Sequence, residues 1–150
     1  SVIAADAVWG RLVELVGEIT PEAIRPFSPE ELASCGLTRS KSSYIHGLAM
    51  DSEAFLLPNW DECTDKELLK HFTAFRGIGP WTSEMILIFT LMRPDVFSLG
   101  DIGLIRAVQK LVPEADTKEK VLEISKRWMP YRTAASWYLW RMLDPVPVEY

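Results

Sequence analysis

Two short patterns in this chain carry residue types that could do chemistry. Arg76-Gly77-Ile78-Gly79-Pro80 sets two glycines one residue apart, just before a proline that can open a helix. Asp101 follows the stretch Val96-Phe97-Ser98-Leu99-Gly100 and stands where another helical pattern begins. Glycine tolerates positive φ and lets a second backbone come close. With no side chains in the way, amides at the start of the following helix can face an anion, and the helix end adds partial positive charge. A phosphodiester fits such a place, with Asp101 as a single carboxylate beyond it. Taken by themselves, the same residues also suit a helix C-cap, a turn and an ordinary N-cap aspartate. The capping and catalytic roles of Asp101 are compatible.

The elements that must position these residues are helical. Ile3 to Val16 is apolar at helical spacing and Gly17 is a stop. Thr20-Pro21 and Ser28-Pro29 each read as an N-cap with proline at the first helical position. Gly36 ends the second of these short helices, and Thr38 caps a helix expected over Arg39–Ala54. Leu56 to Asp61, with Pro58, reads as a loop. Thr64 and Glu67 have capping-box spacing, and their helix runs to Ala74. The helix opened by Pro80 is expected to reach Met92, with a loop over Pro94–Gly100. Asp101 caps a helix that Pro113 ends. Asp116 or Thr117 starts another, through Trp128, and Tyr131–Leu143 is the last, before an extended tail PVPVEY. The expected architecture is all-α, one domain over residues 1–150, with about seven to nine short helices.

The totals bound the partners. Hydrophobic residues at 48% and charged residues at 25% describe a globular chain rather than a disordered one. No apolar run reaches the roughly 20 residues that span a bilayer, so no membrane partner is expected. The net charge of -5 argues mildly against a nucleic-acid partner. It does not say where Arg39, Lys41, Arg76, Arg93, Arg106 and Lys110 lie. Amide and helix-end binding removes the conflict, because it needs no lysine field. Cys35 and Cys63 cannot supply the four thiolates of an iron–sulfur cluster and are expected as buried free thiols. His46 and His71 have no ligand-like spacing, and no transition metal is expected.

Phe75-Arg76-Gly77-Ile78-Gly79-Pro80-Trp81-Thr82 resembles the hairpin of the helix–hairpin–helix DNA glycosylases. With Val96-Phe97-Ser98-Leu99-Gly100-Asp101 and Arg127–Trp140, the chain is similar to their 3-methyladenine DNA glycosylase II branch. The resemblance covers nearly the whole chain. It implies a helix–hairpin–helix motif followed by a Gly/Pro-Asp loop, and removal of alkylated bases such as 3-methyladenine and 7-methylguanine from duplex DNA. It makes Asp101 the catalytic carboxylate. It gives the amides of Gly77 and Gly79, the Thr82 hydroxyl and Arg76 to the DNA backbone. It places Trp81, Trp140, Met85 and Tyr131 at the base pocket, where Met85 replaces a tyrosine of one relative. Trp9, Trp60, Trp128 and Trp137 are expected in the core. The main-chain carbonyls of Thr73, Phe75 and Ile78 would hold a monovalent cation, Na+ or K+, with no cofactor for the chemistry itself.

Bifunctional members carry a lysine two residues after the second hairpin glycine. Trp81 stands there, which implies a monofunctional enzyme without lyase activity. The alternatives are a non-catalytic DNA-binding module, or a glycosylase for hypoxanthine, ethenoadenine or a mismatched base. The resemblance also implies a segment before Ser1 carrying the wedge that fills the gap left by the flipped base. That segment is expected from a longer chain or a second chain, the protein itself being a monomer. The expected location is the cytoplasm or nucleoid, or the nucleus in a eukaryote.

Overall fold

Six of the expected caps close the same way. In the computed structural model, which describes residues 2–57 and 59–143, a side-chain oxygen accepts from the amide three residues on at each of them. The pairs are Thr20–Ala23, Ser28–Glu31, Thr38–Lys41, Thr64–Glu67, Asp101–Leu104 and Thr117–Lys120, at 2.9–3.3 Å. At Ser28 and Thr64 the glutamate three residues later also accepts from the cap's own amide, completing a capping box. These bonds lower both glutamate carboxyls from their usual range.

The helices are α1 Val2–Val16, α2 Pro21–Ile24, α3 Pro29–Ala33, α4 Arg39–Met50, α5 Ser52–Phe55, α6 Asp65–Thr73, α7 Pro80–Met85, α8 Ile102–Leu111, α9 Lys118–Ser125 and α10 Arg132–Leu143, the caps standing before α2, α3, α4, α6, α8 and α9. Among the described residues there is no strand, which agrees with the all-α expectation. The ten α segments among the described residues exceed the expected seven to nine because one expected helix is split in two, while another is cut short. Arg39–Ala54 is divided at Asp51, where Arg25 Nε donates to Ala49 O at 2.8 Å and Nη2 to Ser52 Oγ at 2.7 Å. The helix opened by Pro80 becomes a widened turn over Ile86–Thr90, with Leu91 N–H donating to Ile86 O. Met92 then takes φ 53°, so the helix does not run to Met92. Two further segments are 3-10 turns: Trp60–Glu62, inside the expected loop, and Lys126–Trp128, at the end of the α9 pattern. The expected tail lies outside the described residues, as does Pro58.

The chain divides into two compact units, the first over Ser1–Glu62 with His71–Ile78 and the second over Cys63–Lys70 with Gly79–Tyr150. The first is built on Leu12, Ile24, Leu32, Cys35 and Ala49. A second set of contacts there joins Phe55, Trp60, Phe72 and Phe75 at ring separations of 5.2–5.8 Å. His71 is half-buried and lies edge-on to Phe72 and Phe75, and its Nε2 meets Phe55 O at 3.0 Å, so its ring is satisfied within the fold. Cys35 is a buried free thiol as expected, whereas Cys63, also outside any disulfide, is only half-buried. Trp9 departs from the core expectation: it lies on α1 and is 57% exposed.

The second unit is centred on Phe97, Leu104, Ala107, Val108, Ala115, Val121 and Leu139. Leu104, Ala107 and Val108 follow the i, i+3, i+4 spacing that turns one stripe of α8 inward. Trp128 packs against this core as expected, but Trp137 is 45% exposed. The loop before Asp101 is tied to the start of α10. Asp95 takes Arg132 Nε at 2.7 Å and Nη2 at 3.0 Å. Thr133 Oγ1 accepts from Val96 N–H at 3.0 Å and donates to Arg93 O at 2.6 Å. Arg93 itself is engaged with Asp65 and Cys63 O. No described helix is long and apolar enough to cross a membrane.

Two predictions follow from these packings. Gly77 has φ 93°, and a β-carbon there would stand 2.3 Å from the Tyr44 ring. Gly77→Ala should destabilise the protein by about 2–4 kcal/mol through left-handed strain and overpacking, read by denaturant melts. At Asp95, the Arg132 hydrogen bonds hold the carboxyl below its usual range. Its folded pKa is below its unfolded one, so the pair's contribution is whole at neutral pH and disappears as pH falls through the folded value. Asp95→Asn should cost about 2 kcal/mol at neutral pH and flatten the acid limb of a stability–pH curve.

Candidate active site

Pro80 opens α7 with its fixed φ, and Gly79 before it adopts φ -91°, ψ 177° without a side-chain cap. The first turn of α7 therefore has no side chain folded over its amides. Ser83, fully buried, returns its hydroxyl to Gly79 O at 3.0 Å and fixes that turn. On the other side of the hairpin, Ile78 N–H donates to Phe75 O at 3.1 Å, closing the turn around Gly77. Arg76 lies over the Tyr44 ring at 5.7 Å, so its guanidinium is partly oriented before any ligand arrives. Thr73, Phe75, Arg76, Gly77 and Ile78 belong to the first unit, and Gly79 and Thr82 to the second.

The carbonyls of Thr73, Phe75 and Ile78 lie at and after the C-terminal end of α6, where helix carbonyls lose their intrahelical donors. Phe75 O has accepted one hydrogen bond and keeps a second lone pair. A hard monovalent cation suits such oxygens. Among the described residues no cluster of His, Cys, Asp and Glu could hold a metal ion.

Within the second unit, Asp101 and Trp81 meet directly. The Trp81 indole N–H donates to Asp101 Oδ2 at 3.0 Å, while the Leu104 amide donates to Oδ1 at 2.9 Å. The carboxylate is thus held by two donors from two helices, and its remaining lone pairs stay available. Capping thus leaves the carboxylate able to take a chemical role as well. Gly103 gives the carboxylate its room: a β-carbon there would stand 2.9 Å from Oδ1 and 3.7 Å from Trp140 Cδ1. Trp140 therefore borders the same turn. It stacks on Phe89 with centroids 5.8 Å apart and planes inclined by 17°, and Trp137 stands edge-on to both.

Trp81 is 48% exposed, which leaves an indole surface open beside the carboxylate. Tyr131 precedes α10 and is 67% exposed, and Met85, at the end of α7, is half-buried. Neither has a contact that joins it to Asp101.

Residues with no catalytic motif of their own complete the arrangement. Ser98 is fully buried and its hydroxyl donates to Glu84 on α7. Burial pushes the Glu84 carboxyl above its usual range against the pull of Ser98, and the negative charge of Asp101 adds to the rise. Phe89 and Trp137 buttress Trp140. The only hint in the sequence was spacing: Glu84 is one helical turn from Trp81, and Ser98 lies just ahead of Asp101.

The chain is similar to known proteins over most of its length. Residues 1–131 match the HhH-GPD superfamily base excision DNA repair protein family. DNA-3-methyladenine glycosylase 1 of Schizosaccharomyces pombe is 36% identical over 146 residues, covering 92% of this chain. DNA-3-methyladenine glycosylase of Bacillus subtilis is 36% identical over 126 residues, covering 81% of this chain. The chain spans 64% of the first relative's length and 42% of the second's. Among solved structures, the S. pombe 3-methyladenine DNA glycosylase in complex with abasic DNA superposes with a TM-score of 0.83 at 31% identity, over 97% of this chain and 75% of that one. With its hairpin, its following aspartate and a match over most of its length, the chain belongs to the HhH-GPD superfamily of base excision DNA repair proteins.

Proposed function

We propose that this chain carries the active site of a monofunctional DNA glycosylase. It hydrolyses the N-glycosidic bond of alkylated bases, 3-methyladenine and 7-methylguanine, flipped out of double-stranded DNA. The observation that carries this proposal is the Asp101 carboxylate, fixed between the Trp81 indole and the first turn of α8, with Trp140 at the same turn.

The target base leaves the stack and enters a pocket before any bond breaks. As the bond between C1′ and the base nitrogen lengthens, positive charge grows on the sugar. A carboxylate already locked in place stabilises that charge without reorganising. Water adds to C1′, its proton is lost, and the base departs with the bonding electrons. Asp101 is placed to orient that water or take its proton. An alkylated base is cationic, and the exposed Trp81 face with Trp140 attracts it by cation–π contact, worth roughly 0.5–2 kcal/mol. Trp81 stands where bifunctional relatives have lysine, so no Schiff base forms. The amides of Gly77 and Gly79, the Thr82 hydroxyl and Arg76 hold the DNA backbone. The carbonyls of Thr73, Phe75 and Ile78 hold Na+ or K+, and the protein works as a monomer.

Asp101→Asn tests the central residue cleanly, because asparagine keeps the cap acceptor for Leu104 while losing the charge. Release of 3-methyladenine and 7-methylguanine from methylated DNA, followed by chromatography, should fall at least about a hundredfold. Gel-shift affinity for the same DNA should persist. Release that is undiminished would remove Asp101 from the chemistry. A panel of single-lesion duplexes bearing 3-methyladenine, 7-methylguanine, hypoxanthine, ethenoadenine or a mismatched thymine sets the substrate class. The cationic bases should be excised fastest. A preference for the neutral lesions would shift the assignment to another branch, and no excision of any lesion would leave a DNA-binding module.

A further inference from the structure

Trp81 and Glu84 are one turn apart on α7, so they project from the same face of that helix. Asp101 and Ser98 are the same distance apart in the loop that faces it. Trp81 donates to Asp101 at 3.0 Å, and Ser98 donates to Glu84. Two side-chain bonds therefore run in parallel between the same two stretches of chain. Between them lies Gly100, where a β-carbon would stand 3.4 Å from Trp81 Cβ and 3.6 Å from Ser98 Oγ. These are ordinary contact distances, so the loop lies against the helix at this point. Asp101 N–H closes a turn back onto Ser98 O at 3.4 Å, so displacement of Ser98 passes directly to Asp101.

We infer that Glu84 and Ser98 form a latch that positions Asp101, a role for two residues outside the catalytic centre. The inference rests on the glycosylase assignment of Asp101.

The chemistry of the pair supports it. Packing alone does not call for a half-buried carboxyl beside another carboxylate, since burying an acidic group costs free energy unless it is partnered. Ser98 is fully buried, and without Glu84 its hydroxyl would be a buried donor lacking its acceptor. Burial and the charge of Asp101 both raise the Glu84 carboxyl, against the pull of the Ser98 hydroxyl. Glutamine at position 84 reproduces a neutral acceptor of the same length, whereas alanine does not.

The test compares Glu84→Gln, Glu84→Ala and Ser98→Ala in the whole chain, with circular dichroism to verify folding. Single-turnover release of 7-methylguanine and DNA affinity are measured side by side. The Trp81 indole proton, identified by its loss in Trp81→Phe, reports the bond to Asp101 by NMR. The two alanine variants should release base about tenfold to a hundredfold more slowly at unchanged DNA affinity, with the indole resonance displaced. The glutamine variant should restore both rate and resonance. The latch is overturned if the alanine variants keep the parent rate and resonance, or if glutamine is as impaired as alanine. Should Glu84→Ala not fold, Ser98→Ala removes the same bond from the loop side. If the parent chain releases no base, the glycosylase assignment fails. The indole resonance then still decides the latch by the same comparison.

Discussion

The Asp101 carboxylate is shared between two helices, and the second unit is arranged so that this sharing holds. One oxygen belongs to the first turn of α8 and the other to an indole on α7. A shift of either helix by a fraction of a hydrogen-bond length would release the charge it holds. A carboxylate that works by electrostatic stabilisation depends on being fixed beforehand. The buried stripe Leu104, Ala107 and Val108 locks α8 into the core, and Pro80 with Ser83 locks the start of α7. Fully buried residues, Leu104 on α8 and Ser83 on α7, thus stand behind the two donors.

The same economy extends to α10. Its first residues, Arg132 and Thr133, tie down the loop at Asp95, Val96 and Arg93. Further along it carries Trp140 to the turn at Gly103. The widened turn Ile86–Thr90 presents Phe89 for stacking on Trp140, a place where an i→i+5 bond alters which side chains face inward. Carboxylate, loop and aromatic surface are consequently not three independent features. Each is fastened to a helix that also fastens one of the others.

The parts legible in the sequence are those whose causes are local. An N-cap needs one side chain and an amide three residues away, which is why Thr20, Ser28, Thr38, Thr64, Asp101 and Thr117 could be named as caps or helix starts from spacing alone. The hairpin glycines and Asp101 were likewise visible as a motif. What escaped depends on partners distant in the chain. The break at Asp51 is set by Arg25, and the widened turn ends in a positive φ at Met92 that no glycine announces. Trp9 and Trp137 were expected inside because tryptophan usually buries its ring, yet both are largely exposed. Glu84 and Ser98 looked like ordinary polar residues until the fold brought them together.

An acidic chain proposed to hold DNA faces an electrostatic constraint that this arrangement meets locally. A carboxylate set against a nucleic acid repels phosphate, and a second nearby would double the penalty if both were ionised. Two carboxyls do share this region, but their surroundings differ. Asp101 accepts from two N–H donors. Glu84 is half-buried beside a second carboxylate, and burial raises its carboxyl against the opposing pull of the Ser98 hydroxyl. A hairpin that offers backbone amides then needs no compensating cluster of lysines, so the net charge of -5 and a DNA partner are compatible.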